Sequence, residues 1–301
     1  MTRYMKSLLV LFLLILISIN TIAQDYYSDF KSVLNSGDTV KQLEILQNWE
    51  NVSPSDPELY TCYFNYYFLK SKDEIIALST KKLQGQGFEL KDSLNNIAGY
   101  IGGETYFEEN DFNKGIEKIS EGIEKFPDRL DMRFGKIYAY GLVEDWNSFT
   151  TEIISAIKYS YVNKNKWTWT LDEKKTNGED FFLASLQDYQ VQLYNTGDDS
   201  LLINMRMIAN EILRYYPNHI ESLSNLSVTY LLLGEYDKGI EPLLMAEKID
   251  PTDYIVLSNI AQGYKLKGDN DKAIEYYEKT IKYGDKQAID FAKQQIEELK
   301  N

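Results

Sequence analysis

The sequence predicts an all-α protein that is built from repeated helix pairs. The triplet Leu-Ser-Asn occurs at 223–225 and again at 257–259, and self-similarity at a fixed period of this length is typical of helical repeat proteins. In each copy a glycine, Gly234 or Gly268, falls between two helical patterns, where its freedom to adopt a positive φ ends the first helix. Pro251 then prevents the second helix from continuing.

The same pattern continues upstream with weaker similarity. The clearest earlier copy is 96–127, in which Asn110-Asp111-Phe112 corresponds to the turn at Gly234. At about 34 residues a unit, the pattern predicts about seven helix-turn-helix units. One amphipathic helix, Ala288–Lys300, is expected to cap them, because the last unit of such an array needs a polar outer face. The other expected units cover 26–57, 57–90, 130–161 and 181–217.

Residues 220–285 carry the residue pattern of a known repeat family. The matching positions are Leu223, Leu226, Ser227, Tyr230, Gly239, Leu243, Ala246 and Pro251 in one copy, and Leu257, Ile260, Ala261, Tyr264, Ala273 and Tyr277 in the next. On these residues the chain resembles the tetratricopeptide repeat family. The resemblance implies a right-handed α-solenoid whose concave face is lined by the first helices of the units. It also implies that a peptide segment or partner protein binds on that face.

One segment, 162–180, interrupts the repeat. It contains Trp167 and Trp169, which alternate with threonines at period two, unlike their helical surroundings. We expect this irregular insert to separate N-terminal degenerate repeats, 24–161, from C-terminal repeats, 181–301. Two interpretations stay open: the tryptophans form a ligand loop that stacks on a sugar or clamps a peptide, or they pack between the two regions. Packing is favoured, because Trp is highly buried on average.

The first 23 residues have the order of a secretory signal peptide. Two positive charges precede an apolar run at 7–19, and small residues follow up to Ala23, which predicts cleavage before Gln24. We therefore expect an exported protein, periplasmic or extracellular, in a bacterial envelope. The alternative is an uncleaved anchor, because the uncharged stretch is at the lower length limit for spanning a bilayer; this anchor would be the expected link to a membrane.

Composition and motifs argue against several function classes. The chain has 46 acidic and 32 basic residues and a net charge of −14, so the phosphates of a nucleic acid would be repelled. A protein or peptide partner is expected to be neutral or basic. The single Cys62 and single His219 provide no cluster for a metal. The sequence contains no phosphate-binding loop, nucleophile elbow or zinc-protease motif. We therefore predict no catalytic residues, no metal, no cofactor and no enzymatic activity.

Polar and aromatic residues of the first helices are the candidate binding surface. Asn225 and Asn259 occupy the same position in adjacent units, and Gln262 lies one helical turn beyond Asn259 on the same face. By the family's register, three aromatic residues occupy the matching face upstream: Tyr100, Phe134 and Tyr138. Amides of this kind can bind the backbone of an extended segment while the rings contact its side chains.

Together these observations predict a non-catalytic protein-interaction scaffold of the bacterial cell envelope, which binds its partner on the concave face. The alternative is a glycan-binding protein that uses the tryptophans of the insert.

Overall fold

A computed structural model of the chain describes residues 25–80 and 87–300, and these residues belong to two compact units. Unit 1 comprises the described residues up to Val143 together with Thr168–Lys174, and unit 2 comprises Glu144–Trp167 and the described residues from Lys175 onward. The predicted signal peptide lies outside the described residues. The predicted boundary at 161 differs from this division, because the helix that precedes the insert packs inside unit 2.

Unit 1 contains helices and a small antiparallel sheet. Asp38 and Asp56 cap two of the helices, since each carboxylate accepts a hydrogen bond from a first-turn amide, Lys41 N and Glu58 N respectively. The helices are α1 (25–33), α2 (Thr39–Val52), α3 (Pro57–Ser71), α4 (Glu109–Lys125) and α5 (Leu130–Leu142). The strands are β1 (Lys72–Ser79), β2 (Gly87–Lys91) and β3 (Ile97–Phe107), and the two-residue strands β4 (Thr168–Trp169) and β5 (Glu173–Lys174) form a separate hairpin.

The sheet corrects part of the predicted repeat. Its strand order is β1-β3-β2, with both outer strands antiparallel to β3, so the segment expected to be the first helix of unit 96–127 is a strand. Glycines at 99, 102 and 103 disfavour a helix there. Helix α3 instead packs along α4, and the sheet is inserted between them. Two of the expected units, 57–90 and 96–127, are therefore one interrupted helix pair.

The core of unit 1 is largely aromatic. Trp49, Tyr63 and the free Cys62 belong to one buried cluster, and Tyr60 and Phe64 to another. Helix α4 approaches α3 closely at Gly122, where an added Cβ would lie 2.9 Å from the Tyr60 Cβ. A larger residue at 122 would therefore separate the two helices.

Unit 2 consists mainly of successive helices, as the sequence predicts. The turns contain glycines with positive φ, +75° at Gly234 and +85° at Gly268, and α10 ends just before Pro251. The helices are α6 (Trp146–Asn163), α7 (Gly178–Asn195), α8 (Leu202–Tyr215), α9 (Ile220–Leu231), α10 (Tyr236–Ile249), α11 (Tyr254–Lys267), α12 (Asn270–Tyr283) and α13 (Lys286–Lys300). The predicted all-α repeat class is thus confirmed, with the sheet of unit 1 as an addition.

The helices of unit 2 pack against their sequence neighbours. Helix α9 packs along α10, α11 along α12, and α12 along the capping helix α13. Leu243, Leu257 and Tyr277 are fully buried in one core that continues into the cap through Ala292. Of the helices in the described ranges, none has the length and apolar character to cross a membrane.

Candidate functional site

A row of side-chain amides lies on the first helices of unit 2. Gln187 is on α7, Asn225 on α9, and Asn259 and Gln262 on α11. All four are half-buried, so each has part of its surface open to solvent. We call these four residues the amide row.

The first contact in the row orients two amides. Asn225 Nδ2 donates a hydrogen bond to Gln187 Oε1 across 38 residues of sequence. Because the nitrogen of Asn225 is used in this way, its Oδ1 is left as an acceptor with no partner among the described residues. The Gln187 Nε2 atom is buried and also lacks a partner within those residues.

A tyrosine orients the amide of Gln262. The Tyr277 hydroxyl donates to Gln262 Oε1 at 2.9 Å. Burial, assisted by the charge of Glu298, raises the pKa of Tyr277 to about 12, so the hydroxyl keeps its proton and remains a donor at neutral pH. The Gln262 oxygen is therefore engaged and its Nε2 is the group left to donate. Asn259, which precedes it on α11, makes no side-chain hydrogen bond to any described residue.

Charged residues complete the surface toward the capping helix. Lys265 Nζ donates to Gln295 Oε1 at 2.6 Å and to Glu298 Oε2 at 2.9 Å. The hydrogen bond from Lys265 lowers the pKa of Glu298, which keeps this carboxylate ionised. Since the lysine is neutralised by its own neighbours, it adds no net positive charge to the surface.

In the amide row, Asn225 offers a hydrogen-bond acceptor, Asn259 offers both an acceptor and a donor, and Gln262 offers a donor. A peptide backbone offers one donor and one acceptor at each residue, so such a row can satisfy the main chain of an extended segment. The row contains neither a nucleophile nor a paired acid and base. Burial raises the pKa of the Cys62 thiol in unit 1 well above its usual value, which disfavours a reactive thiolate.

The predicted aromatic residues belong to a different unit from the amide row. Tyr100 lies on β3 and not on a first helix, which corrects its predicted position. Phe134 and Tyr138 are on α5 as predicted, but Phe134 is buried. Tyr138 is exposed, and its ring lies 6.3 Å from that of Phe68. All three belong to unit 1, whereas Asn225, Asn259 and Gln262 belong to unit 2.

The two tryptophans of the insert pack against other rings. Trp167 is only 1% exposed, with its ring 5.3 Å from Phe182 and 5.9 Å from Tyr159. Trp169 is half-buried and meets Phe134 edge to face at 6.2 Å. At 1% exposure the Trp167 ring has almost no surface on which a sugar could stack.

A buried charged network was not anticipated from the sequence. Arg129, 2% exposed, contacts Glu58 at 2.7 and 3.1 Å and Asp131 at 2.9 and 2.7 Å. Glu58 also accepts a hydrogen bond from Leu171 N at 2.7 Å, and Asp131 accepts one from Thr170 at 3.0 Å. The network therefore fastens the 168–174 hairpin to α3 and α5.

The electrostatics of the network follow from its burial. Desolvation raises the pKa of Glu58, although Arg129 opposes the shift. For Arg129 desolvation favours loss of the proton, but hydrogen bonds to Asp131 and Glu58 outweigh it and raise the pKa. The local sequence shows one of the partners, because Asp131 lies two residues after Arg129. The other partner, Glu58, is 71 residues away, so no local pattern could identify it. In the described parts of the chain, no group of three or more His, Cys, Asp and Glu residues could hold a metal ion.

The fold and the amide row define a helix-pair repeat protein with a polar surface on its first helices. Residues 256–283, which span most of α11 and all of α12, match the family model of the tetratricopeptide repeat, so this helix pair is similar to a tetratricopeptide repeat. No curated protein sequence matches the chain significantly.

Several solved structures are similar to the chain. YrrB, described as a TPR protein with an unusual peptide-binding site, is 14% identical, with 83% of this chain and 97% of that one covered and a TM-score of 0.40. TTC0263 from Thermus thermophilus is 16% identical, covers 62% and 91%, and has a TM-score of 0.37. A TPR2AB-domain:pHSP90 complex of yeast Sti1 is 9% identical, covers 94% and 100%, and has a TM-score of 0.34.

Proposed function

We propose that the protein is a non-catalytic scaffold that binds an extended segment of a partner protein along the amide row of unit 2. The observation that carries the proposal is a set of amide atoms on successive first helices that have no partner among the described residues: Asn225 Oδ1, Gln262 Nε2 and both polar side-chain atoms of Asn259. The tetratricopeptide repeat at 256–283 supports it, because stacked repeats of this kind create extended binding surfaces.

The charge of the chain favours a neutral or basic partner. The net charge is −14, and Lys265, one turn beyond Gln262 on α11, is already paired with Glu298. An acidic segment would therefore be repelled by the chain as a whole, and Lys265 offers it little compensation.

We further propose that the scaffold acts in a bacterial cell envelope after export. The order of charged, apolar and small residues in 1–23 supports this location. N-terminal sequencing of the protein from culture supernatant or periplasm should begin at Gln24. Recovery of the chain with Met1 intact in the membrane fraction would contradict cleavage and favour the anchor.

The binding proposal can be tested with a displayed library of random twelve-residue peptides. The purified protein should enrich peptides of neutral or positive charge, and one of them would then serve as the probe in fluorescence polarisation. Replacing Asn225 and Asn259 together with Ala should weaken its binding by about 1–3 kcal/mol, because each lost amide leaves a backbone group unsatisfied. The single change Asn259→Ala should account for part of this loss.

The matched control is Asn210→Ala, an exposed asparagine on the second helix α8 of the same unit. It should bind the probe like the wild type. Equal affinities of the wild type and the double variant, with unchanged melting curves, would remove the amide row from the site. Enrichment of acidic peptides would contradict only the prediction that the partner is neutral or basic, and not the proposed binding site.

A further inference from the structure

The three-stranded sheet of unit 1 has one face that is apolar and open to solvent. In the observed register Leu78 is opposite Ile101, and Ile101 is opposite Phe88, so these side chains share a face. Ile76 and Leu90 lie on the same face by alternation along their strands. Exposure is 82% for Ile76, 73% for Leu78 and 79% for Phe88. We call these five residues the apolar sheet face.

The opposite face of the same sheet has a different character. It carries Asp73, Glu89 and Glu104 beside Ile75 and Tyr106. The carboxylates make this face compatible with water. The contrast shows that the apolar residues are concentrated on one side of the sheet and are not spread evenly over it.

Contiguous exposed apolar patches of this kind mark interaction surfaces in soluble proteins. We propose that the apolar sheet face packs against the same face of a second copy of the chain, so that two three-stranded sheets form a sandwich. The like charge of two copies, −14 each, opposes the pair, so the contact has to come from burial of apolar surface. The five residues of this face are uncharged, whereas Lys72 and Glu74 continue the same face toward the start of β1.

The geometry of the face suits a second sheet. Packed sheets lie about 10 Å apart with interdigitating side chains. Gly103, opposite Ile76 in the register, has open space where a Cβ would be, which leaves a recess for a side chain of the second copy. Burial of five partly or largely exposed apolar side chains on each copy removes on the order of 1,000 Å² from water, near the lower limit for a specific interface. The dimer is therefore weak and reversible.

The test is sedimentation velocity of the purified protein over a range of concentration. We expect monomer at about 1 µM and mostly dimer at about 200 µM, as a weak interface of this size requires. Raising the salt from low ionic strength to 0.15 M should strengthen the dimer, because salt screens the repulsion between two acidic copies. A contact that is driven by opposite charges would weaken instead.

Two neighbouring residues of β1 provide a matched pair of variants. Ile76→Lys places a charge on the apolar sheet face and should raise the dimer dissociation constant at least about tenfold. Ile75→Lys makes the same change on the opposite face and should leave the constant unchanged. Both substitutions make the chain less negative, so greater repulsion cannot explain a loss of dimer. Melting curves and circular dichroism verify that each variant is folded.

The proposal fails if the wild type is still monomeric at 200 µM. It also fails if both lysine variants change the constant equally, since the contact would then lie elsewhere. Flotation of a monomeric wild type with phosphatidylcholine vesicles would assign the face to a membrane surface instead.

Discussion

Two buried polar sites, one in unit 1 and one in unit 2, differ in how their hydrogen bonds are satisfied. In unit 1 Arg129, Glu58 and Asp131 form a buried network in which the charged groups have hydrogen-bond partners. In unit 2 the amide of Gln190 is 1% exposed, and neither its nitrogen nor its oxygen has a partner among the described residues. These two sites therefore represent a paired and an unpaired way of burying polar groups, although unit 2 also contains paired ones, such as Asn204, which donates to Thr150 Oγ1 at 2.9 Å.

The difference corresponds to how each unit is assembled. Unit 2 is built mainly from helices packed against sequence neighbours, so apolar packing between adjacent elements can define its arrangement. Unit 1 must hold a hairpin that comes from far along the chain, and Glu58 contacts Leu171 across 113 residues. We infer that the charged network defines the position of that hairpin, because the hairpin has no neighbouring repeat to pack against.

The largest effect is expected when this network is broken. Replacing Arg129 with Met leaves two buried carboxylates without their cation, which should lower the free energy of unfolding by about 3–5 kcal/mol. Arg214→Met is the matched control. Its side chain is 67% exposed and lies 3.5 Å from Glu211, so a loss below about 1 kcal/mol is expected. Chemical denaturation gives both values.

A second variant distinguishes unpaired charge from lost packing. If Glu58→Gln and Asp131→Asn are added to Arg129→Met, much of the lost stability should return, because the two buried side chains left without their cation are then uncharged. A triple variant as unstable as the single one would show that the arginine acts mainly by filling space.

The same contrast explains how much of the fold could be predicted from the sequence. The turns at Gly234 and Gly268 and the helix end before Pro251 were predicted correctly, because caps and turns depend on residues that are close in sequence. The family match at 256–283 falls in this regular part of the chain.

The errors lie where partners are distant. The strand at Ile97–Phe107 pairs with β1, which begins at Lys72, and the register of a helical repeat contains no information about such pairing. The pairing of Arg129 with Glu58 could not be predicted for the same reason, because the two residues are 71 positions apart. Within the candidate site, the sequence placed Asn225, Asn259 and Gln262 on first helices correctly. It did not reveal that Gln187 and Tyr277 orient two of these amides.

The smallest effect is expected at Gln190, and it has the opposite sign. A buried amide with no partner costs free energy, so Gln190→Met, which keeps the length of the side chain, should raise the stability of unit 2 by about 1 kcal/mol. Gln192→Met, two residues further along α7 at a half-buried position, is the control and should bring no gain. Thermal and chemical denaturation of the three proteins measure the difference. A loss of stability in Gln190→Met would show that this amide has a partner in solution, such as an ordered water molecule, and that its burial is also a paired one.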